Sequence, residues 1–406
     1  MAYGIGVALF ALGILLSLTL HEIGHAAAAR AFGMKVTRFF IGFGPTLFSF
    51  RRRGVEYGVK AIPAGAFVKI VGMTRLDEVA PEDEKRAMWR FPVWKRTVVM
   101  GAGVAVHFLL GFLVLWGLFA FSPLPDEGLL QSGPVRAATV SPCVEPRLAD
   151  QQRPCVPGTS PASAALSAGL QPGDVIVAID GRPVRGWDAV TAGGREAGGR
   201  TVALTYERAG EQRTASVAMP LVERVRPGTT DLERVGMLGI TPQVPTSTAG
   251  PAAAVGLAVR QTGALFGATF DALLHLPAKI PALWSTITGD ERDPEAPVSM
   301  VGASHIGGEL AHRGDYQSFL LMLASLNFFI GMFNLLPVLP ADGGHIAISW
   351  FERARSWLYG RLRRPDPGPV DYYRLAPLVF VAILLFAGFT LLSITADLVN
   401  PVHITD

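Results

Sequence analysis

Two histidines and a glutamate lie close together in the first apolar stretch of the chain. His21, Glu22 and His25 form the pattern H-E-x-x-H. In a helix, residues four apart lie on one face, so both imidazoles can converge on one Zn²⁺ ion. Glu22 then lies beside the metal, where its carboxylate can accept a proton from a water that the zinc polarises. The three residues therefore predict a hydrolytic zinc site with Glu22 as the general base.

A catalytic zinc takes three protein ligands, so a third ligand is needed. The candidate is Asp342, in a segment that contains Pro337, Pro340 and the pair Gly343-Gly344. Prolines interrupt a helix, and glycines let two backbone segments approach closely. We expect a broken helix to present Asp342 at the depth of the two histidines and to complete a site for one zinc ion.

The elements that must position these residues are membrane helices. Half of the 406 residues are apolar and only 17% are charged. A spanning helix needs about 20 mainly apolar residues. Four runs qualify, at residues 4–29, 97–121, 319–339 and 375–398. A fifth stretch, residues 255–287, contains Pro277 and Pro281 and is expected to be an amphipathic segment at the membrane interface.

The distribution of basic residues predicts the orientation. The loop between the first two runs is the richest in Lys and Arg, which predicts that it is cytoplasmic, with both termini outside and the zinc site near the cytoplasmic face. Residues 35–70 alternate and contain several glycines, which predicts β-hairpins lying against the membrane. The net charge of +3, without basic stretches interleaved with aromatic residues, excludes a nucleic-acid-binding protein.

Residues 122–250 have the pattern of a separate extracytoplasmic domain. Residues 165–181 combine a short helix, a Pro-Gly-Asp turn, an alternating strand and an Asp-Gly turn. This order resembles the PDZ domain of bacterial proteases, which binds an extended peptide at a sheet edge. Cys143 and Cys155 are candidates for a disulfide if both face an oxidising compartment, and otherwise they are two free thiols.

Taken together, these features resemble the site-2 proteases, a family of intramembrane zinc metalloproteases. The similarity is greatest to the bacterial RseP-like branch and its actinobacterial members with a single PDZ domain. It rests on the H-E-x-x-H motif, the Gly42-Phe43-Gly44 segment, the PDZ insertion and the N-x-x-P…D-G motif that begins at Asn334.

The resemblance implies roles for individual residues. His21, His25 and Asp342 are the implied zinc ligands, and Glu22 is the implied general base. Further residues are implied to contact the substrate, either in a groove or along a hairpin strand: Asn334, Pro337, Gly42, Phe43 and Gly44.

The chain departs from the family pattern at two places. Pro337 and Pro340 are three residues apart, whereas the family commonly has P-x-P. At residues 102–108, Val104 and His107 stand where the family commonly has proline and asparagine. We expect His107 to form a hydrogen bond within the helix bundle. His305, expected in a loop, and His345 are interpreted as ordinary polar residues rather than metal ligands.

The expected fold is a multi-pass α-helical protein of the cell membrane with about four spans, a cytoplasmic β-hairpin region and an inserted α+β PDZ domain. Its expected divisions are 1–121, 122–250, an interfacial linker at 251–315, and 316–406 with the third zinc ligand. The expected reaction is zinc-dependent cleavage of single-pass membrane proteins such as anti-sigma factors, while the PDZ domain binds peptide C-termini or extracytoplasmic segments. The alternatives are a non-catalytic PDZ scaffold, a zinc transporter, and a membrane zinc peptidase acting on signal peptides.

Overall fold

The structure is a computed structural model, and it describes residues 2–74, 77–147, 155–225, 231–289, 292 and 296–402. Residues 1 and 403–406, which bear on the predicted location of the termini, lie outside this part, as do residues 148–154 between the two cysteines. The helices in chain order are α1 (Ala2–Ala31), α2 (Val93–Phe121), α3 (Glu127–Ser132), α4 (Ala164–Ser167), α5 (Trp187–Glu196), α6 (Gly250–His275), α7 (Ile280–Thr288), α8 (Met300–Arg313), α9 (Tyr316–Asn334), α10 (Asp342–Arg361) and α11 (Tyr372–Val399).

The strands are mostly short, apart from one long pair near the N-terminus. In chain order they are β1 (Val36–Arg52), β2 (Val55–Ile70), β3 (Leu124–Pro125), β4 (Val135–Val140), β5 (Val175–Ile179), β6 (Arg182–Pro183), β7 (Thr201–Arg208), β8 (Glu211–Ala218), β9 (Leu221–Val225), β10 (Leu232–Gly236), β11 (Ile240–Pro242) and β12 (Thr246–Ser247). The chain forms two compact units, one made of Met1–Ser122 with Ala249–Asp406 and the other of Pro123–Thr248.

Four helices of the first unit, α1, α2, α9 and α11, are long and apolar enough to cross a membrane. They coincide with the four predicted runs, except that α9 ends at Asn334, whereas the run was expected to continue to residue 339. The early end has a local reason: Pro337 has no backbone N–H to donate and disfavours helical geometry in the residue before it. The resulting turn leads directly into α10.

The helices pack through small residues and large apolar ones. Phe10 and Ile14 of α1 are buried in one cluster with Ala303 of α8, and Leu115 of α2 is buried with Phe328 of α9. Helix α6 joins the second cluster through Ala258. It ends at His275, and a 3-10 turn at Leu276–Lys279 separates it from α7. This break lies where Pro277 predicts one.

The prediction of a loop around His305 is wrong, because these residues form α8. Ser299 caps the helix by accepting hydrogen bonds from the N–H groups of Val301 and Gly302. The two glycines at 307 and 308, which favoured a loop, instead allow α8 to approach α1. A Cβ atom at Gly307 would lie 2.7 Å from the Phe10 ring. Tertiary packing therefore outweighs the low helix propensity of glycine.

Strands β1 and β2 form a hairpin that is folded back on itself, because residues 38–41 of β1 pair with residues 66–69 of β2 and also with residues 56–59. The starts of both strands pack against α1 and α2 in a cluster that includes Ala29, Val36, Val55 and Val99. The second half of β1 exposes Leu47, Phe48 and Phe50. The hairpin is therefore anchored to the helices at the start of each strand and presents apolar side chains along the second half of β1.

The second unit is built on an antiparallel sheet with the strand order β11-β4-β5-β7-β8, and β6 also pairs with β5. Helix α4 and the following turn cover one edge of its core. Within that turn Asp174 is buried, accepts a hydrogen bond from the Gln171 N–H, and is bound by Arg208 at 2.7 and 2.8 Å. Cys143 and Cys155 form a disulfide in this unit.

Candidate metal centre

Three potential ligand atoms converge at the junction of α1 and α10. His21 and His25 are buried on one face of α1, and their Nε2 atoms lie 3.0 Å apart. Asp342 is the first residue of α10, and its Oδ2 atom lies 3.3 Å from His21 Nε2 and 3.2 Å from His25 Nε2. The structure thus brings together residues that are more than 300 positions apart in the chain.

The three atoms fit a zinc ion. Tetrahedral zinc with ligand bonds of about 2.0–2.1 Å places its ligand atoms about 3.3 Å apart, close to the observed separations. The Oδ2 atom of Asp342 is buried, and within the described residues it makes no hydrogen bond of good geometry. A buried carboxylate oxygen without a partner is unfavourable, and a cation held by the two imidazoles would satisfy it.

The orientation of His25 also suits a metal ligand. Its Nδ1 atom lies 2.7 Å from the carbonyl oxygen of Val99 on α2, and a carbonyl can only accept a hydrogen bond. Nδ1 therefore carries the hydrogen, and Nε2 presents its lone pair toward His21 and Asp342. Such a hydrogen bond behind a ligand fixes both the tautomer and the orientation of the ring.

Glu22 lies beside the ligand atoms and is held by the hairpin. One oxygen or nitrogen atom from each of His21, Glu22 and His25 lies within 4.8 Å of the others. Glu22 Oε2 accepts a hydrogen bond of 3.0 Å from the backbone N–H of Val68 on β2. The strand therefore aims this carboxylate at the space next to the two imidazoles, where a general base is needed.

Glycines make these approaches possible. A Cβ atom at Gly103 of α2 would lie 2.5 Å from His25 Nε2 and 2.8 Å from His21 Cε1. A Cβ atom at Gly343 would lie 2.2 Å from the Leu335 carbonyl oxygen. Only glycine lets α2 cover the imidazoles and lets α10 begin directly against the turn after α9.

The residues implied to contact substrate lie on two segments next to the elements that position the metal centre. Asn334 is the last residue of α9, half-buried, and Pro337 is exposed in the turn that leads to Asp342. Gly42, Phe43 and Gly44 lie on β1, which pairs with the strand that holds Glu22.

Two further histidines that the sequence singles out make contacts of their own. His107 of α2 is fully buried, and its Nδ1 atom lies 3.0 Å from Asn327 Oδ1 on α9. Asn327 donates its amide hydrogen to Leu323, so its oxygen accepts from His107. The His107 ring centre is 4.9 Å from that of His21. His305 contacts Tyr3 and Glu309.

Sequence reasoning did not single out the Val68 N–H, the Val99 carbonyl or Gly103. The first two are backbone groups, which carry no residue-type signal. Gly103 had a weak signal, since small residues in a membrane helix often mark close packing. All three depend on which elements pack against α1.

Comparisons with known proteins identify the family of the chain. The sequence model of peptidase family M50 matches residues 9–362 of the chain. Over the full length of both chains, the protein is 40% identical to the zinc metalloprotease Rip1 of Mycolicibacterium smegmatis and 38% identical to that of Mycobacterium tuberculosis. The predicted family, enzyme class and zinc cofactor are confirmed. The chain belongs to peptidase family M50, the site-2 proteases, and is a zinc metalloprotease of the membrane.

Proposed function

We propose that this protease hydrolyses peptide bonds within or beside the membrane segment of single-pass proteins, with His21, His25 and Asp342 as the zinc ligands. The observation that carries the proposal is the convergence of these three side chains next to Glu22, with both histidines and Glu22 on α1, a helix long and apolar enough to span a membrane. Ionisable residues gathered within such a helix are typical of a functional site.

The chemistry divides between the metal and the protein. When bound, zinc polarises the scissile carbonyl and lowers the pKa of water. Glu22 takes the proton of the attacking water and passes it to the leaving amine. The Val68 N–H keeps the Glu22 carboxylate oriented, and the Val99 carbonyl keeps His25 in the tautomer that binds metal.

The substrate must lose its helical structure before it is cut, because a helix engages its carbonyl groups in internal hydrogen bonds. Asn334 is proposed to donate a hydrogen bond to the unwound substrate. In support, its half-buried side chain makes no hydrogen bond to another described residue. Pro337 keeps the adjoining turn non-helical, and β1, with Gly42, Phe43 and Gly44, offers the unwound segment a strand to pair with.

The proposed orientation places the basic hairpin and the metal centre on the cytoplasmic side and unit Pro123–Thr248 outside. The positive-inside rule supports this orientation, as does the disulfide of Cys143 and Cys155, since disulfides persist outside the cytoplasm.

We assign a PDZ role to unit Pro123–Thr248. Its helix α5 and the segment before β11 enclose an apolar cavity of about 180 Å³ lined by Trp187, Val190, Val222, Leu238 and Ile240. A cavity between a helix and a sheet edge suits the apolar end of an extended peptide. The expected ligands are peptide C-termini or extracytoplasmic segments, including those of anti-sigma factors already trimmed by another protease.

The test is to map the cleavage site. Purified protease, reconstituted with a tagged single-pass substrate and separately with a signal peptide, should cut the former within or beside its apolar segment, as read by mass spectrometry of both products. A cut only in the soluble part of the substrate, or of the signal peptide alone, would contradict the proposal.

A further inference from the structure

Two adjoining cavities lie where the β1–β2 hairpin meets the end of α1. The first, about 560 Å³, is lined by basic and aromatic side chains: Arg30, Phe50, Arg52, Arg53 and Tyr57. We call it the basic cavity. The second, about 300 Å³, is bounded by α1 and both strands, and its apolar lining residues are Ile23, Ala26, Ala27, Val36, Phe39 and Val55. We call it the apolar groove.

Both cavities are lined by Arg30 and Tyr57, so they adjoin at these two side chains and together make a depression with a charged part and an apolar part. The shared border is ordered by contact: the Arg30 guanidinium donates a hydrogen bond of 2.5 Å to the Tyr57 hydroxyl and lies 5.8 Å from the centre of its ring. A ligand that fills the depression must have an anionic group and an apolar chain.

No carboxylate of the described residues neutralises the positive charge of the basic cavity. In the part of the chain that the structure describes, no carboxylate lies within ion-pair distance of Arg30, Arg52 or Arg53. The nearby acid, Glu56, is engaged by Arg38 and by the Ser49 hydroxyl. Arginine binds phosphate oxygens through paired N–H donors, which makes a phosphate group the complementary anion.

The turn between the two strands holds Arg53 in a strained backbone conformation. The turn between β1 and β2 has positive φ at Arg53 (49°) and at Gly54 (78°). Such two-residue turns prefer Asn-Gly or Asp-Gly, because most side chains disfavour positive φ. Arg53 therefore occupies a position that its backbone disfavours, as Arg363 does (φ 53°), and glycine would relieve the strain there.

The position in the fold indicates where the phosphate comes from. Arg30 lies in the last turn of α1, a helix long and apolar enough to span the membrane, and arginines at such ends reach toward lipid headgroups. Phe48 and Phe50 are exposed on β1, close to Arg52 in the sequence, and aromatic residues favour the interface between membrane and water. We propose that this depression binds an anionic phospholipid, with its phosphate in the basic cavity and an acyl chain in the apolar groove.

Native mass spectrometry of the full-length, zinc-loaded protein in detergent tests the proposal. Phosphatidylglycerol should bind, whereas phosphatidylcholine with the same acyl chains should bind much more weakly. Arg52→Gln/Arg53→Gln should weaken phosphatidylglycerol binding roughly thirtyfold, about fivefold per arginine. The control is Arg363→Gln/Arg364→Gln, an exposed pair in which Arg363 also has positive φ (53°), and it should leave binding unchanged.

A second variant guards against misfolding of the first. Arg53→Gly suits the positive φ and should unfold at the same or a higher temperature than wild type, yet bind phosphatidylglycerol about fivefold more weakly. Inorganic phosphate added in excess should not displace the lipid, because it cannot occupy the apolar groove.

Four results would overturn the proposal. The first is equal binding of the two lipids, and the second is an equal loss of lipid binding in the double variant and its control. The third is complete displacement of the lipid by inorganic phosphate. The fourth is unchanged lipid binding in a double variant that no longer cleaves substrate. The last result would mean that the arginines bind an acidic segment of the substrate instead.

Discussion

Single backbone groups hold two side chains of the proposed metal centre in place. The Val99 carbonyl fixes the tautomer of His25, and the Val68 N–H orients Glu22. Asp342 is oriented differently, because it occupies the first turn of α10, where the helix dipole favours a negative charge. Each side chain therefore keeps one orientation before metal or substrate arrives, and substitutions at this scale should change metal binding without unfolding the protein.

Asp342→Asn tests the third ligand. The substitution keeps the shape of the side chain but removes the charge, so zinc affinity should fall by more than roughly 100-fold. Competition with a chelator, read by metal analysis of the purified protein, gives this value. Asp371→Asn, at the N-terminus of α11, is the matched control and should keep its zinc. Equal affinities for the two variants would exclude Asp342 as a ligand.

Gly103→Ala tests the close approach of α2. The added methyl group would lie 2.5 Å from His25 Nε2, so we expect displaced imidazoles, weaker zinc binding and roughly a 100-fold loss of peptide hydrolysis. Gly101→Ala, two residues earlier, is the control, because its Cβ atom meets nothing within 4 Å. Full activity in both variants would show that the imidazoles do not need this space.

At the scale of elements, the site is formed by α1, α2, α10 and the β1–β2 hairpin. The H-E-x-x-H motif was predictable because its geometry is local to one helix. The broken helix before Asp342 was also predictable, since Pro337 acts locally. The contacts of Val68 and Gly103 were not, because they depend on which surfaces the hairpin and α2 pack against. His305 was misplaced for the same reason: its glycine neighbours serve helix packing rather than a loop.

The hydrogen bond between His107 and Asn327 joins α2 to α9. His107→Ala would leave the buried Asn327 oxygen without a donor and should destabilise the protein by about 1–2 kcal/mol. His107→Asn, which places an amide N–H near the same oxygen, should recover part of that loss. Thermal unfolding in detergent measures both variants. If the alanine and asparagine variants unfold at the same temperature as wild type, this hydrogen bond does not stabilise the bundle.

In the second unit, Asp174 links the turn before β5 to β7. The hydrogen-bonded Arg208 guanidinium holds the pKa of Asp174 below its usual value. Its contribution to stability is therefore complete above the unfolded value of about 3.9 and is lost as the pH falls through the lower folded value. Acidification below about pH 4 should destabilise this unit.

Asp174→Asn should remove that pH dependence and, at neutral pH, speed hydrogen exchange of the β5 and β7 amides by roughly tenfold or more. The exchange is measured on the full-length protein by mass spectrometry. The control is Asp180→Asn, since Asp180 is exposed and pairs with Arg200 at 3.6 Å. An Asp174→Asn protein with an unchanged acid response would contradict the assigned role.

At the scale of the whole molecule, a membrane unit carries all the groups of the metal centre, and a separate unit is inserted between α2 and α6. None of the residues proposed for the centre belongs to the inserted unit. A peptide-binding role for that unit therefore predicts effects on substrate choice rather than on metal content. Catalysis, in contrast, requires the first unit to be folded around zinc, so the two activities are separable by experiment.

The most direct test of the account is cleavage of a tagged single-pass membrane protein by wild type and by Glu22→Gln, with zinc measured in the same samples. Glutamine cannot accept the proton, so cleavage should fall by about 10²–10⁴-fold, while the zinc content stays equal because the three ligands are intact. Removing zinc with a chelator should abolish cleavage by wild type, and added zinc should restore it. Equal cleavage by the two zinc-loaded proteins would contradict the assignment of Glu22 as the general base.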